Sequence, residues 1–87
     1  MLDEFLGKVV VVDLRSPFVC LGTLHRLDDL HLDMRNADFH DLRDTDSTRE
    51  YYVAASRLTG VKRNRKRVLL NRADLVAISR QEDVVDE

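Results

Sequence analysis

Hydrophobic residues in the first half of the chain fall into runs divided by readable turns. Val9 to Leu14 is a β-branched run closed by Ser16 and Pro17, Phe18 to Leu27 runs extended through Gly22, and Asp28-Asp29 turns the chain again. Leu30, Leu32 and Met34 then alternate with polar neighbours at the period of a strand. Such a meander, followed by further strands, predicts a mainly β fold: a small, strongly bent antiparallel barrel of about five strands.

The middle of the chain breaks this rhythm. Asp44 to Arg67 is longer than a tight hairpin needs. Ser47 is followed three residues later by Glu50 in a capping-box pattern, Tyr51, Ala55 and Leu58 share one helical face, and Gly60 suits the position just past a helix end. The spacing predicts a helix over residues 48–59, inserted before strand four. A strand alternating Tyr51, Val53 and Ala55 is the rival, which the consecutive alanines and the capping signals disfavour. Of the two tyrosines, Tyr51 is expected to pack on the barrel; the pair could otherwise offer a stacking platform for unpaired bases.

Length and composition narrow the setting. A chain of 87 residues with 44% hydrophobic residues supports one domain with a real core. The expected division is a domain over residues 1–80 and an acidic tail over 81–87. The single cysteine, Cys20, falls where strand two should bury it and reads as a small apolar filler in a reducing compartment. No apolar run approaches the roughly 18 residues of a spanning helix, and the amino end has neither a basic start nor a cleavage site. The expectation is a cytoplasmic protein with no membrane partner.

Net charge is −2, yet the charges are segregated. Asp28 to Glu50 holds eight acids against three arginines, whereas Arg57 to Arg72 holds seven basic residues and no acid. Within the second block, Lys62, Arg63, Arg65, Lys66 and Arg67 crowd into VKRNRKR. Side chains of this type neutralise phosphates and release condensed counterions, or pair with an acidic surface across a subunit boundary.

The residues from Gly7 to Asp38, GKVVVVDLRSPFVCLGTLHRLDDLHLDMRNAD, also carry a family likeness. Gly7 as the exit from a leading helix of Leu2, Phe5 and Leu6, then a β-branched strand, Gly22-Thr23-Leu24, the acidic turn Asp28-Asp29 and the run Met34 to Asp38 resemble the first signature of the Sm and LSm family. VLLNRADLVAIS, Val68 to Ser79, is similar to the family's closing strand pair. The resemblance spans roughly two thirds of the chain. It implies a barrel whose subunits join strand four to strand five in a closed homo-oligomeric ring of about five to seven copies. It also implies binding of single-stranded RNA. Family members that read uridine use an Asn in the turn before strand three and an Arg-Gly pair between the last strands. Counting back from Ala37, the first falls on His31; counting in from Leu70, the second falls on Asn71-Arg72. A gapless alignment would put Asp33 at the Asn position, but breaks the Leu30, Leu32, Met34 alternation.

On this frame His31 could stack on or hydrogen-bond a base, Asn71 could read a base edge and Arg72 could grip a phosphate or stack. Their ordinary alternatives are turn chemistry: His31 bonded to Asp29 or Asp33, Asn71 favouring a tight loop, Arg72 solvated. His25, His31 and His40 lie among aspartates, but no cysteine pair, His-Glu helix motif or oxygen-rich loop accompanies them, so no metal is expected. Ser16, Ser47, Ser56 and Ser79 sit in no nucleophile motif, and Gly7, Gly22 and Gly60 form no phosphate-cradling loop. Neither a cofactor nor an enzymatic activity is expected. The sequence thus points to RNA binding by a ring, with Lys62, Arg63, Arg65, Lys66 and Arg67 on phosphates and His31, Asn71 and Arg72 at the lumen. The alternative is an oligomeric structural or protein-interaction barrel that binds no nucleic acid.

Overall fold

The computed structural model describes residues 1–85. Its strands are β1 (Val9–Leu14), β2 (Phe18–Leu27), β3 (His31–Asp41), β4 (Arg65–Asn71) and β5 (Leu75–Arg80), with one α-helix, α1 (Arg49–Thr59), between β3 and β4. All five strands form one antiparallel sheet in the order β4-β3-β2-β1-β5. The fold is therefore mainly β with an inserted helix. Among the described residues no ladder joins β4 to β5, so the sheet is not closed and has two edges.

Burial on both faces explains the unbroken apolar run of β1. Val10, Val12 and Leu14 enter one core with Cys20, Leu24, Leu32, Met34, Ala37 and Leu70. Val11 points the other way, to Val19, Leu21 and Val53 of α1. Val68 of β4 and Leu75 and Ile78 of β5 pack against the first core, so the sheet bends enough for its outer strands to share one interior.

The bend goes with three irregularities, one in the β1–β5 ladder where Val76 is surplus between Asp13↔Ala77 and Leu14↔Leu75, and two in the β2–β3 ladder. Between the pairs Leu21↔Asp38 and Thr23↔Arg35, β2 contributes one residue and β3 two, and Asn36 there takes a left-handed conformation at φ 49°. Asparagine tolerates this region better than most residues. Between Leu24↔Met34 and Arg26↔Asp33 the surplus residue, His25, is on β2. Bulges of this kind twist the ladder and re-aim its side chains.

Details at both helices differ from the sequence expectation. The leading helix is a single 3₁₀ turn, Leu2–Phe5, with Phe5 packed on the core and Leu6 outside the helix. The N-cap of α1 is Thr48 rather than Ser47: its hydroxyl accepts the N–H of Tyr51 at 3.1 Å. That shift of one residue goes with a different buried face. Val53 and Ser56 are buried and Tyr52 packs with them, whereas Tyr51 and Leu58 are exposed. Tyr52 stacks on His40 with ring centroids 4.1 Å apart and donates to Asp38. Burial and that neighbouring carboxylate push the Tyr52 phenol up. Past β5, a 3₁₀ turn over Gln81–Asp83 is docked by Gln81, whose amide donates to the Ser56 hydroxyl at 2.9 Å, and Val84 packs under α1. Asp86 and Glu87, the end of the expected acidic tail, lie outside the described residues.

Candidate functional site

The turn between β2 and β3 is held by one aspartate. Asp28 Oδ1 accepts the N–H groups of Leu30 at 2.8 Å and His31 at 2.6 Å, and these two bonds hold its carboxyl below the usual range. His31, half-buried, brings Nδ1 to 3.5 Å from the same oxygen. The aspartate facing His31 is thus Asp28, not Asp29 or Asp33.

The β4–β5 turn meets this one edge to edge. His31 and Asn71 are cross-strand partners at the end of the β3–β4 ladder. Arg72 N–H donates to the Leu30 carbonyl at 2.8 Å, and its guanidinium donates to the Asp28 carbonyl. Arg72 is therefore a latch between turns rather than a freely solvated side chain. The three residues named from the turn sequences, His31, Asn71 and Arg72, come together at one end of the sheet.

The basic segment has a more divided fate. Asn64, in the middle of VKRNRKR, clamps the segment to β3. Its backbone N–H donates to Ala37, its Oδ1 accepts from Phe39 N–H at 3.0 Å, and its amide donates to the Phe39 carbonyl at 3.1 Å. Arg63 donates to Asn36 Oδ1 at 2.9 Å and Arg65 to the Asn64 carbonyl at 3.2 Å. Lys62, Arg63, Arg65, Lys66 and Arg67 are all exposed, but they do not form one surface. Arg67 pairs with Arg35 in the ladder, opposite the face on which Val68 meets the core, whereas Lys66 has the parity of Val68 and Leu70.

Arg67 belongs to a cluster that the sequence reading leaves out. Asp33, 4% exposed, accepts from Nε and Nη2 of Arg26, Arg35 and Arg67 at 3.0 to 3.5 Å. The guanidinium of Arg35, with those of Arg67 and Arg26, holds the Asp33 carboxyl far below the ordinary carboxylate range despite burial. Sheet geometry explains the grouping. Leu32 and Met34 face the main core, so Asp33 and Arg35 face the α1 side, beyond the part that the helix covers. A hollow of about 240 Å³ opens there, lined by Arg26, Leu27, Asp28, His31, Asp33, Arg67 and Leu69. It joins the arginine cluster to the turn bearing His31. Asp33-x-Arg35, two apart on a strand, was the available sequence signal; the contributions of Arg26 and Arg67 depend on strand register.

Among the described residues no group of three or more His, Cys, Asp or Glu side chains is gathered as metal ligands would be, and no helix is long and apolar enough to cross a membrane. Neither models of known protein families nor the curated proteins contain a match to this chain.

Proposed function

We propose that this protein is a non-catalytic, Sm-like RNA-binding module that acts as a homo-oligomeric ring and takes single-stranded RNA at the end of the sheet where the two turns meet. The observation that carries the reading is the pairing of His31 with Asn71, latched by Arg72, beside a hollow lined by Arg26 and Arg67. An imidazole face and an amide suit an unstacked base, and guanidiniums suit its phosphates. The acidic net charge does not oppose this, because charge is segregated and phosphate contact is local.

Ring assembly completes the barrel in this reading. The edges of the sheet are β4 and β5, the two strands that the resemblance pairs between subunits. Each carries an exposed apolar side chain, Leu69 at 48% and Val76 at 65%. Unpaired edges template pairing with another chain, and a closed ring covers every one of them.

Gentle lysis of the protein's own cells, recovery of the protein and nuclease treatment test the reading. Nuclease-sensitive RNA should accompany it, and purified protein should bind a labelled single-stranded oligonucleotide with strong salt dependence. Recovery free of RNA, with no binding by the purified protein at low salt, would favour the protein-interaction alternative.

A further inference from the structure

We infer that the uncovered part of the α1-side sheet face is a phosphoryl-binding site formed by Arg26, Arg35 and Arg67, with Asp33 as the positioning residue. The inference deepens the RNA reading and takes its ligand class from it.

The stoichiometry of the cluster argues first. One bidentate arginine matches a buried carboxylate, and Asp33 has three, which leaves a local surplus of two positive charges. Charge-assisted contacts of this type typically lie at about 2.7–2.9 Å. Here the shortest is 3.0 Å, from Arg35, and the others are 3.2 to 3.5 Å. A single carboxylate divided among three forks saturates none of them.

Orientation argues second. All three guanidiniums turn Nε and Nη2 to Asp33, so none spends Nη1 on it. Their side chains remain 68%, 37% and 49% exposed. A guanidinium has five N–H donors and no acceptor, so what remains on each fork can satisfy only an acceptor, and a tetrahedral oxyanion supplies several at once.

Surroundings argue third. The hollow beside Arg26 and Arg67 also has Leu27, Leu69 and His31 on its wall, an apolar and imidazole surface for the sugar or base attached to the phosphate. The other acid there, Asp28, faces the backbone N–H groups of Leu30 and His31; it stays ionised and offsets one of the two surplus charges, which leaves the cluster and its rim with one. Asp33 itself fixes the three forks from below, whereas free arginines would scatter.

The test uses Arg26→Ala/Arg67→Ala, which leaves Arg35 paired with Asp33, alongside Arg26→Lys, which keeps charge but loses the fork. A thermal melt of each establishes folding. Binding is measured with one oligonucleotide sequence, 5′-phosphorylated and 5′-hydroxyl. A loss of tenfold or more in the double variant supports the site: for the phosphorylated strand alone it identifies a terminal phosphate, for both strands a backbone phosphodiester. Unchanged affinity for both overturns the site and leaves the RNA reading standing. If the wild-type protein binds neither strand, the RNA reading falls, and adenosine monophosphate decides the site by NMR. Saturable shifts of the Arg26, Arg35 and Arg67 Nε–H signals, absent in the double variant, support it; unmoved signals overturn it.

Discussion

His31 and Asn71 stand opposite each other as the terminal pair of the β3–β4 ladder, so the geometry of one turn constrains the other. The common support is Asp28, which holds the Leu30 and His31 N–H groups by its carboxylate and Arg72 by its carbonyl. Asp28→Ala should speed amide exchange at Leu30 and His31 and lower the urea midpoint, because two backbone donors lose their acceptor. Asp28→Asn, which keeps an acceptor, should recover most of it. Exchange rates unchanged in Asp28→Ala would mean that the strands alone define the turn.

Asp33 should shape the acid limb of stability. Its carboxyl lies far below the unfolded value of about 3.9, so the folded state favours its ionised form. That stabilisation is fully present above about pH 4 and is lost as pH falls from there toward the folded value. Asp33→Asn should be less stable than wild type at pH 7 by about 1–3 kcal/mol, below the range for a fully buried pair because the arginines stay wet. The difference should shrink between about pH 4 and pH 2. Parallel urea curves at pH 7 and pH 3 check the convergence, and a constant difference would assign the acid limb to Asp28 or Asp41, whose carboxyls are also held low.

What the sequence revealed, and what it hid, divides along local and non-local physics. The limits of β1 and β2 and the interval of α1 follow from β-branched runs, Pro17, Gly60 and the capping signals around Ser47 and Glu50, all of which act within a few residues. The bulges at His25 and Asn36 do not, because either residue could sit in a regular ladder until the partner strand's register excludes it. The exchange of Tyr51 for Tyr52 is the same effect on a helix: moving the cap from Ser47 to Thr48 accompanies a turn of the buried face toward Val53. At the candidate site, His31, Asn71 and Arg72 were named by counting along the family resemblance, and they stand together at the strand ends and the turn beside them. The arginine cluster was not named: Asp33-x-Arg35 shows two of its members, but Arg26 and Arg67 join them only where three strands lie side by side.

Gly22 tests the bend. A Cβ added there would lie 2.9 Å from the Ala37 Cα and 3.0 Å from the Arg35 carbonyl oxygen, both backbone atoms that cannot rotate aside. Gly22→Ala should therefore cost about 1–3 kcal/mol by overpacking, read as a lower urea midpoint at unchanged slope. Gly60→Ala meets open space and bears only backbone strain, since φ 80° with ψ 173° is a region essentially reserved to glycine, about 1–3 kcal/mol. A neutral Gly22→Ala would show that β3 can move away from β2 without loss.

Cys20 should be silent until the sheet opens. It is fully buried, and desolvation together with the Asp38 charge pushes its thiol up to about 12. At pH 8 it is protonated as well as inaccessible, so iodoacetamide should label it only at the rate of opening. Labelling in denaturant should be complete within minutes; equally fast labelling of the native protein would contradict the packed position between β1 and β3.

The two sheet edges give the prediction on which the ring depends. A domain of 10.1 kDa buries a limited core, and β4 and β5 each present backbone groups without a ladder partner among the described residues. Light scattering coupled to gel filtration at micromolar concentration should give a mass several times 10.1 kDa. Natural edges are blunted by lysine, and Val76, 65% exposed on β5, is where a lysine would do so without entering the core. Val76→Lys should shift the mass toward the monomer while leaving the circular dichroism spectrum unchanged. RNA affinity should fall in the same variant, because a ring presents several copies of His31, Asn71 and Arg72 to one strand, and linked weak contacts bind far more tightly than one. A wild-type mass of 10.1 kDa at every concentration would remove the ring and the lumen with it. Retained affinity in a monomeric Val76→Lys protein would place RNA binding on the single subunit.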